Sequence, residues 1–226
     1  MNKKILLLGG GGHCKSVLDS ILEQRLRGNV AIVDDNLDLG STLMGVRVVG
    51  GLKDFEKFRS EGFEQAFITI GSIGNPQFRI ELFNRLEAAG FETPNVLDKS
   101  SVVSRYALLG KGIFAGKNSV INAGASVGDG AIINTCVIVE HDGVVGRFAH
   151  ISSACVLCGN VHIGESTHIG AGTVIRQGLT IGRDTTIGIG SVVTSSMPDG
   201  VIAFGSPCKV VKNTDNKFNP MQAETF

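Results

Sequence analysis

The chain has 226 residues, 42% of them hydrophobic, and its 21 basic and 21 acidic residues cancel. That length allows one or two domains with a core that needs no disulfides. Zero net charge, no Trp and a single Tyr exclude the basic, aromatic-rich surface of a nucleic-acid binder and a basic membrane-surface patch.

Glycine is the outlier, at 31 residues, about twice its usual share of roughly 7%. With only 5 prolines, this composition indicates many tight turns rather than a low-complexity chain. The 5 cysteines are odd in number and match no disulfide framework. No apolar run reaches membrane-spanning length, and Met1 to Lys4 lead straight into a strand without a cleavage site. A reduced, cytoplasmic location is expected.

Residues 1–98 read as a small Rossmann-like α/β domain with a parallel sheet of about four strands. Ile5–Leu8, Val30–Val33, Val46–Val49 and Ala66–Ile70 have strand character. Val17, Leu18, Ile21, Leu22 and Leu26 have helical spacing, as do Ile80, Leu82, Phe83 and Leu86. Between the first strand and helix stands Gly9-Gly10-Gly11-Gly12-His13. Such a loop lets anionic oxygens approach backbone N–H groups at a helix N-terminus. The dinucleotide fingerprint is broken, because Cys14 or Lys15 stands where its last glycine belongs. A sugar nucleotide fits better, with its diphosphate on Gly10, Gly11, Gly12 and His13 and with Asp34 or Asp35 near the ribose or base. A plain strand-to-helix turn is the alternative.

From Val103 to Val193 every sixth residue is Val, Ile or Leu, with Ala115 the exception among sixteen positions. A glycine often follows the aliphatic, and a small or apolar residue stands four places after it. Six residues make one short strand and one turn, and three such units close a triangular coil. The aliphatic fills the interior, and the second inward position must be small. Coils stack at about 4.8 Å, so five give a prism roughly 24 Å tall. The pattern resembles the bacterial hexapeptide-repeat family over residues 99–198, and the resemblance implies a left-handed parallel β-helix.

Asn134 to Gly143 interrupts the glycine habit with Glu140, His141 and Asp142. His141 and Asp142 fall at the third and fourth places of their unit, a corner where neighbouring side chains both project outward. A carboxylate-bound imidazole is a suitable general base for acyl transfer. Gly159, one coil further on, offers an N–H to a developing oxyanion. His150 is half a coil from His141, so a site using both is easier to build between subunits, as three clefts of a homotrimer. Outward His150, His162 and His168 also admit a zinc reading, but no metal is expected. Cys155 and Cys158 differ in phase and should not converge, and Cys136 should point inward or sideways.

Both halves together resemble the nucleotide-sugar N-acetyltransferases of the bacillosamine and perosamine type and their sialic acid O-acetyltransferase relatives. The motifs that match are the loop with His13, Asp34-Asp35, Gly71-x-x-Gly-Asn75, Asn134 to His141, and His150. The resemblance implies an acetyl-CoA-dependent sugar acetyltransferase with His141 as base, oriented by Asp142 where the family often has Glu. It implies that His150 and the Gly159 backbone meet the thioester region, that Ala171 and Ile189 lie along the pantetheine arm, and that Asn134 contacts substrate. The tail, 199–226, contains Gly205-Ser206-Pro207-Cys208-Lys209 and would lie by coenzyme A, with Cys208 replacing the usual Ala. The expected reaction is N-acetylation of a UDP-linked 4-amino-sugar. Open alternatives are O-acetylation of sialic or legionaminic acid, a zinc hydratase, and a non-catalytic sugar-nucleotide-binding scaffold.

Overall fold

The computed structural model describes residues 3–24 and 27–214; Leu26 of the first expected helix and residues 215–226 of the expected tail lie outside them. Strand β1 (Lys4–Leu8) is buried on both faces, as an apolar run in a parallel sheet should be. It is followed by α1 (Gly12–Leu22), β2 (Val30–Val33), β3 (Thr42–Leu43), β4 (Val46–Gly50), β5 (Phe63–Ile68) and α2 (Gln77–Ala88). The sheet order is β3-β4-β2-β1-β5. Four strands are parallel; the fifth, β3, is an antiparallel hairpin edge that the sequence reading did not include. A 3-10 segment, Leu52–Arg59, was also not foreseen. Strand β5 starts and ends earlier than Ala66–Ile70, because Thr69 turns away to cap the Gly9 carbonyl.

Beyond the domain the chain climbs a left-handed triangular prism of two-residue parallel strands. The first face holds six strands, from Val102–Val103 to Val192–Val193; the second holds five, from Leu108–Leu109 to Thr180–Ile181. The third face begins at Val96–Leu97, continues through His150–Ile151 and His168–Ile169, and ends in the hairpin Val201–Gly205 and Cys208–Asn213. Val120 pairs with Val102 and Ile138 with Val120, so each coil advances eighteen residues. Aliphatic residues at the six-residue phase and small residues such as Ala131, Cys155 and Thr173 are buried together in the interior.

The turns reveal a second regularity. From Gly112 to Gly190 the fourth residue of every unit has positive φ, fourteen turns in succession. Only six of these are glycine; Asn118, Cys136, Asp142, Phe148, Ala154, Asn160, Ser166 and Asp184 take the same conformation. Cys136 is therefore exposed at a corner, and the expectation of an inward or sideways thiol is corrected. A non-glycine residue in this region costs roughly 1–2 kcal/mol, and stacking of the coils must offset it.

The three vertices are not alike. Between the second and third faces, the residue after each aliphatic is always glycine: Gly110, Gly128, Gly146, Gly164 and Gly182. A Cβ at any of them would approach the next coil to 2.3–2.7 Å. Between the first and second faces the same position carries Ser104, Asn122, Glu140, Cys158 and Arg176. That vertex has room for side chains, and His141 stands on it.

The two halves share their cores. Phe114 and Ile132, outward on the third face, pack with Val17, Leu18 and Ile21 of α1. Phe148 packs edge-on against Phe83 of α2, with ring centroids 5.3 Å apart. Buried Asp98 accepts from Ser20 of α1 (2.6 Å) and pairs with Lys117 of the prism (3.3 Å). Burial works against this carboxylate, yet hydrogen bonds from Ser100, Ser20 and Lys117 hold it well below its ordinary range.

A paired test follows from the turn geometry. Ala154→Gly should raise stability by about 1 kcal/mol, since it relieves a positive-φ alanine. Gly128→Ala should lower it, since its Cβ would meet Arg147 N at 2.7 Å. Denaturant midpoints of both variants check this, and midpoints moving the same way would contradict it.

Candidate active site

His141 occupies the turn that leads from the first face to the second. Asp142, held at φ 60°, stands its carboxylate beside the ring, and His141 Nδ1–H donates to Asp142 Oδ2 at 2.9 Å. That bond fixes the tautomer and leaves Nε2 as the free acceptor. Room for the carboxylate comes from Gly124 on the coil below, where a Cβ would meet Asp142 Oδ1 at 2.4 Å. Room for the ring comes from Gly159 on the coil above, where a Cβ would meet His141 Nε2 at 2.5 Å. The hydrogen bond to Asp142 raises the imidazole above its ordinary value, and the charges of Asp142 and Glu140 add to this. Gly159 N–H has no partner among the described residues.

His150 is elsewhere. It lies on the third face, the side of the prism opposite the His141 vertex. Its Nδ1–H donates to the Ser72 carbonyl at 2.7 Å, across the boundary between the two halves, and Nε2 is 3.5 Å from Asn134 Nδ2. Asn134 Oδ1 accepts the Thr135 N–H at 2.8 Å. His168 lies one coil above, with ring centroids 5.1 Å apart. His162 is on the second face, so the three histidines expected as a possible zinc set do not converge. Among the described residues no group of three or more metal-ligating side chains is found. Ala171 and exposed Ile189 stack on the vertex between the third and first faces, with Gly190 N–H donating to the Ala171 carbonyl. His141 and Gly159 thus share one vertex, while His150, Asn134, Ala171 and Ile189 gather on the opposite side.

The glycine loop is built in two parts. Gly10 N–H donates to Asp34 Oδ2 at 2.6 Å, and Asn36 N–H to Asp34 Oδ1 at 2.7 Å. A Cβ on Gly10 would meet the Leu37 Cδ1 methyl at 2.3 Å, so a side chain here would require Leu37 to move aside. Asp35 Oδ1 accepts from Leu52 N–H at 2.8 Å. Gly11 and Gly12 are different: a Cβ on either would meet nothing within 4 Å. They open α1, whose N-terminus has no side-chain cap, so its first N–H groups face outward as an anion site does. His13 follows, edge-on to Phe114 with centroids 5.2 Å apart. A cleft of about 320 Å³ runs beside α1, between Lys15, Ser16 and Asp19 and the prism residues Phe114 and Thr135.

Sequence reasoning missed Arg79. It takes a core-facing place on α2 with Leu82, Phe83 and Leu86, and its guanidinium donates to the Gly130 carbonyl and Ser72 Oγ, with no carboxylate partner among the described residues. A charge inside an apolar helical stripe was the available signal. Burial pushes Arg79 down to about 10. Burial, with help from Arg79 and His150, pushes His13 down to about 3, and burial with His150 pushes His168 down to about 4. Buried His13 Nε2 and His168 Nδ1 have no partner among the described residues.

A family model described as the PglD N-terminal domain matches residues 4–86. No curated protein sequence matches. Among solved structures, PerB from Caulobacter crescentus, in complex with CoA and GDP-perosamine, is 35% identical with a TM-score of 0.84, covering 94% of this chain and 99% of that one. The chain belongs to the hexapeptide-repeat sugar acetyltransferases. The acetyltransferase domain of PglB from Neisseria gonorrhoeae, in complex with acetyl coenzyme A, is 32% identical with a TM-score of 0.85, covering 93% and 100%. WeeI from Acinetobacter baumannii is 27% identical with a TM-score of 0.82 and the same coverage. Membership makes this chain a sugar acetyltransferase and accounts for its two-part architecture.

The depressed histidines give a pH prediction. Their folded values lie below the unfolded value near 6.5, so their contribution is intact at pH 7 and is lost as pH falls below about 6.5. The slope is up to about 1.4 kcal/mol per pH unit for each histidine. Thermal unfolding between pH 7 and pH 5 should show stability falling, and His168→Gln should flatten the slope by up to one proton. A variant slope equal to the parent's would contradict the assignment.

Proposed function

We propose that the enzyme transfers the acetyl group of acetyl-CoA to the amino group of a nucleotide-linked 4-amino-sugar, with UDP the expected nucleotide, in clefts between the subunits of a homotrimer in the cytoplasm. One observation carries the reading: a base with its tautomer fixed stands exposed on one vertex, and the donor-side residues lie on the opposite side of the same prism. A single copy does not bring them together. A second copy does if neighbouring prisms stand side by side.

The first face supports such packing. Its outward residues are Val102, Val120, Ile138, Val156, Val174 and Val192, an unbroken aliphatic stripe. Val102 is 61% exposed in the single chain, and Val174 and Val192 are each 39% exposed. A contiguous apolar strip of this kind marks a protein interface, and a closed three-fold arrangement would give three equivalent clefts.

The acceptor's diphosphate would lie on the open N–H groups at Gly11, Gly12 and His13. Asp34 shapes that loop from beneath, and Asp35 remains near the expected nucleoside. The cleft beside α1 reaches Thr135, on the same vertex as Ala171 and Ile189, so acceptor and donor approach one another there. Asn134 and His150 stand next to this junction. Relatives bind GDP-perosamine and coenzyme A in this architecture, which favours the N-acetyl reading over O-acetylation.

In the reaction the amine nitrogen attacks the thioester carbonyl carbon. His141 Nε2 accepts the amine proton, and Asp142 stabilises the imidazolium through Nδ1–H. The N–H of Gly159 is available to the carbonyl oxygen as it becomes an oxyanion. The carbon–sulfur bond then breaks, and His141 returns its proton to the departing thiolate. No cysteine is needed; Cys155 is buried and its thiol is raised to about 11, chiefly by burial.

Coenzyme A release should be read with a thiol reagent against UDP- and GDP-linked 4-amino-sugars and free nonulosonic acids. His141→Ala should lower kcat by roughly 10²–10⁴ with the oligomer intact, and activity within a few-fold of the parent would remove His141 as base. The acid limb of kcat should lie above 6.5, because the raised imidazole must be deprotonated to act. Asp142→Asn should move that limb down. Turnover with free nonulosonic acids only would assign O-acetylation instead.

A further inference from the structure

The His141 vertex carries side chains where a neighbouring vertex carries only glycine, and two of these side chains are joined. Asn122 Nδ2–H donates to Glu140 Oε2 at 3.0 Å, from one coil to the next. The same Glu140 oxygen accepts the backbone N–H of His141 at 3.3 Å. The base is therefore located from three sides: Asp142 holds its ring, Gly159 leaves it space, and Glu140 holds its peptide group.

We propose that Asn122 is a positioning residue for acyl transfer: it holds the Glu140 carboxylate against the His141 backbone, fixing the base and keeping a second negative charge beside it. The inference rests on the reading of His141 as base. Glu140 is half-buried and long, with rotamer freedom to lose. Without the amide from below, its carboxylate is free to swing into solvent, away from the imidazole. The groups facing His141 are Glu140 and Asp142 on its own turn, Asn122, Ala123 and Gly124 below, and Cys158, Gly159 and Asn160 above. Only Glu140 and Asp142 among them are charged, so the charge felt by the imidazole depends on where Glu140 is held.

The test compares Asn122→Ala, Asn122→Asp, Glu140→Gln and the double variant Asn122→Ala/Glu140→Gln with the parent and with His141→Ala. Asn122→Ala should lower kcat about tenfold, the low end for a hydrogen bond to a charged group. The Michaelis constant for acetyl-CoA should stay unchanged, because neither Asn122 nor Glu140 is among the residues assigned to acetyl-CoA. The acid limb of kcat should move to lower pH in Asn122→Ala and in Glu140→Gln. Asn122→Asp should lose more activity than Asn122→Ala, since it sets one carboxylate against another. The double variant should be no worse than Glu140→Gln alone, as expected for residues acting through one contact. Glu140→Gln keeps shape and stacking, so it reads the pH shift even if Asn122→Ala unfolds. An Asn122→Ala enzyme with parental kcat and pH profile, or fully additive losses in the double variant, would overturn the inference. If His141→Ala remains active, the base assignment fails, and this inference with it. If His141→Ala is inactive while the Asn122 variants behave as parent, only the positioning role fails.

Discussion

The structure depends on in-register parallel stacking with a strict eighteen-residue advance per coil. Backbone pairing from coil to coil, as in Val102–Val120–Ile138, admits no slip without moving every inward aliphatic off the axis. That constraint turns each position of the repeat into a vertical column. A side chain's role is set by its column and by what stands one coil above and below it. Gly124, Asp142 and Asn160 share one column, and Ala123, His141 and Gly159 share the next. The surroundings of His141 are thus a set of neighbours that are far apart in sequence and adjacent in height.

The same rule separates the candidate site residues. A column on the vertex between the first and second faces cannot meet the third face of its own prism. Burial adds a further asymmetry. His141 is exposed and raised by its carboxylate, whereas His13, His150 and His168 sit at or near the seam between the two halves and are lowered by burial. Arg79 lies in that seam without a carboxylate, and its charge disfavours protonation of His13 and His150. The exposed imidazole at the His141 vertex and the buried imidazoles at the seam are thus shifted in opposite directions by their surroundings.

Much of this was readable from residues alone, for a definite reason. Inward positions of a narrow prism tolerate only aliphatic or small side chains, so the six-residue period writes the fold directly into the sequence. The break at Glu140-His141-Asp142 was visible because it replaces turn residues with chemistry. The positive φ of the fourth residue was not visible, because Phe148, Ala154 and Cys136 adopt it against their intrinsic preference and the stacked coils enforce it. Nor were the seam contacts, since Ser72–His150 and Asp98–Ser20 join segments about 78 residues apart in sequence that local pattern does not connect. The pairing of Asn122 with Glu140 was legible only after the coil length was known, because eighteen residues separate them.

The central claim is that the base of one subunit serves the donor-side residues of another, and subunit mixing tests it most directly. His141→Ala removes the base, and Ala171→Trp obstructs the opposite vertex. Each variant alone should be inactive. When the two are unfolded and refolded together in equal amounts, about a quarter of the clefts in a three-fold assembly pair an intact base with an intact donor side. Recovery of about that share of unaltered activity is the predicted result. Mixed oligomers that form but stay inactive would show that one chain supplies the whole site, and would contradict the account.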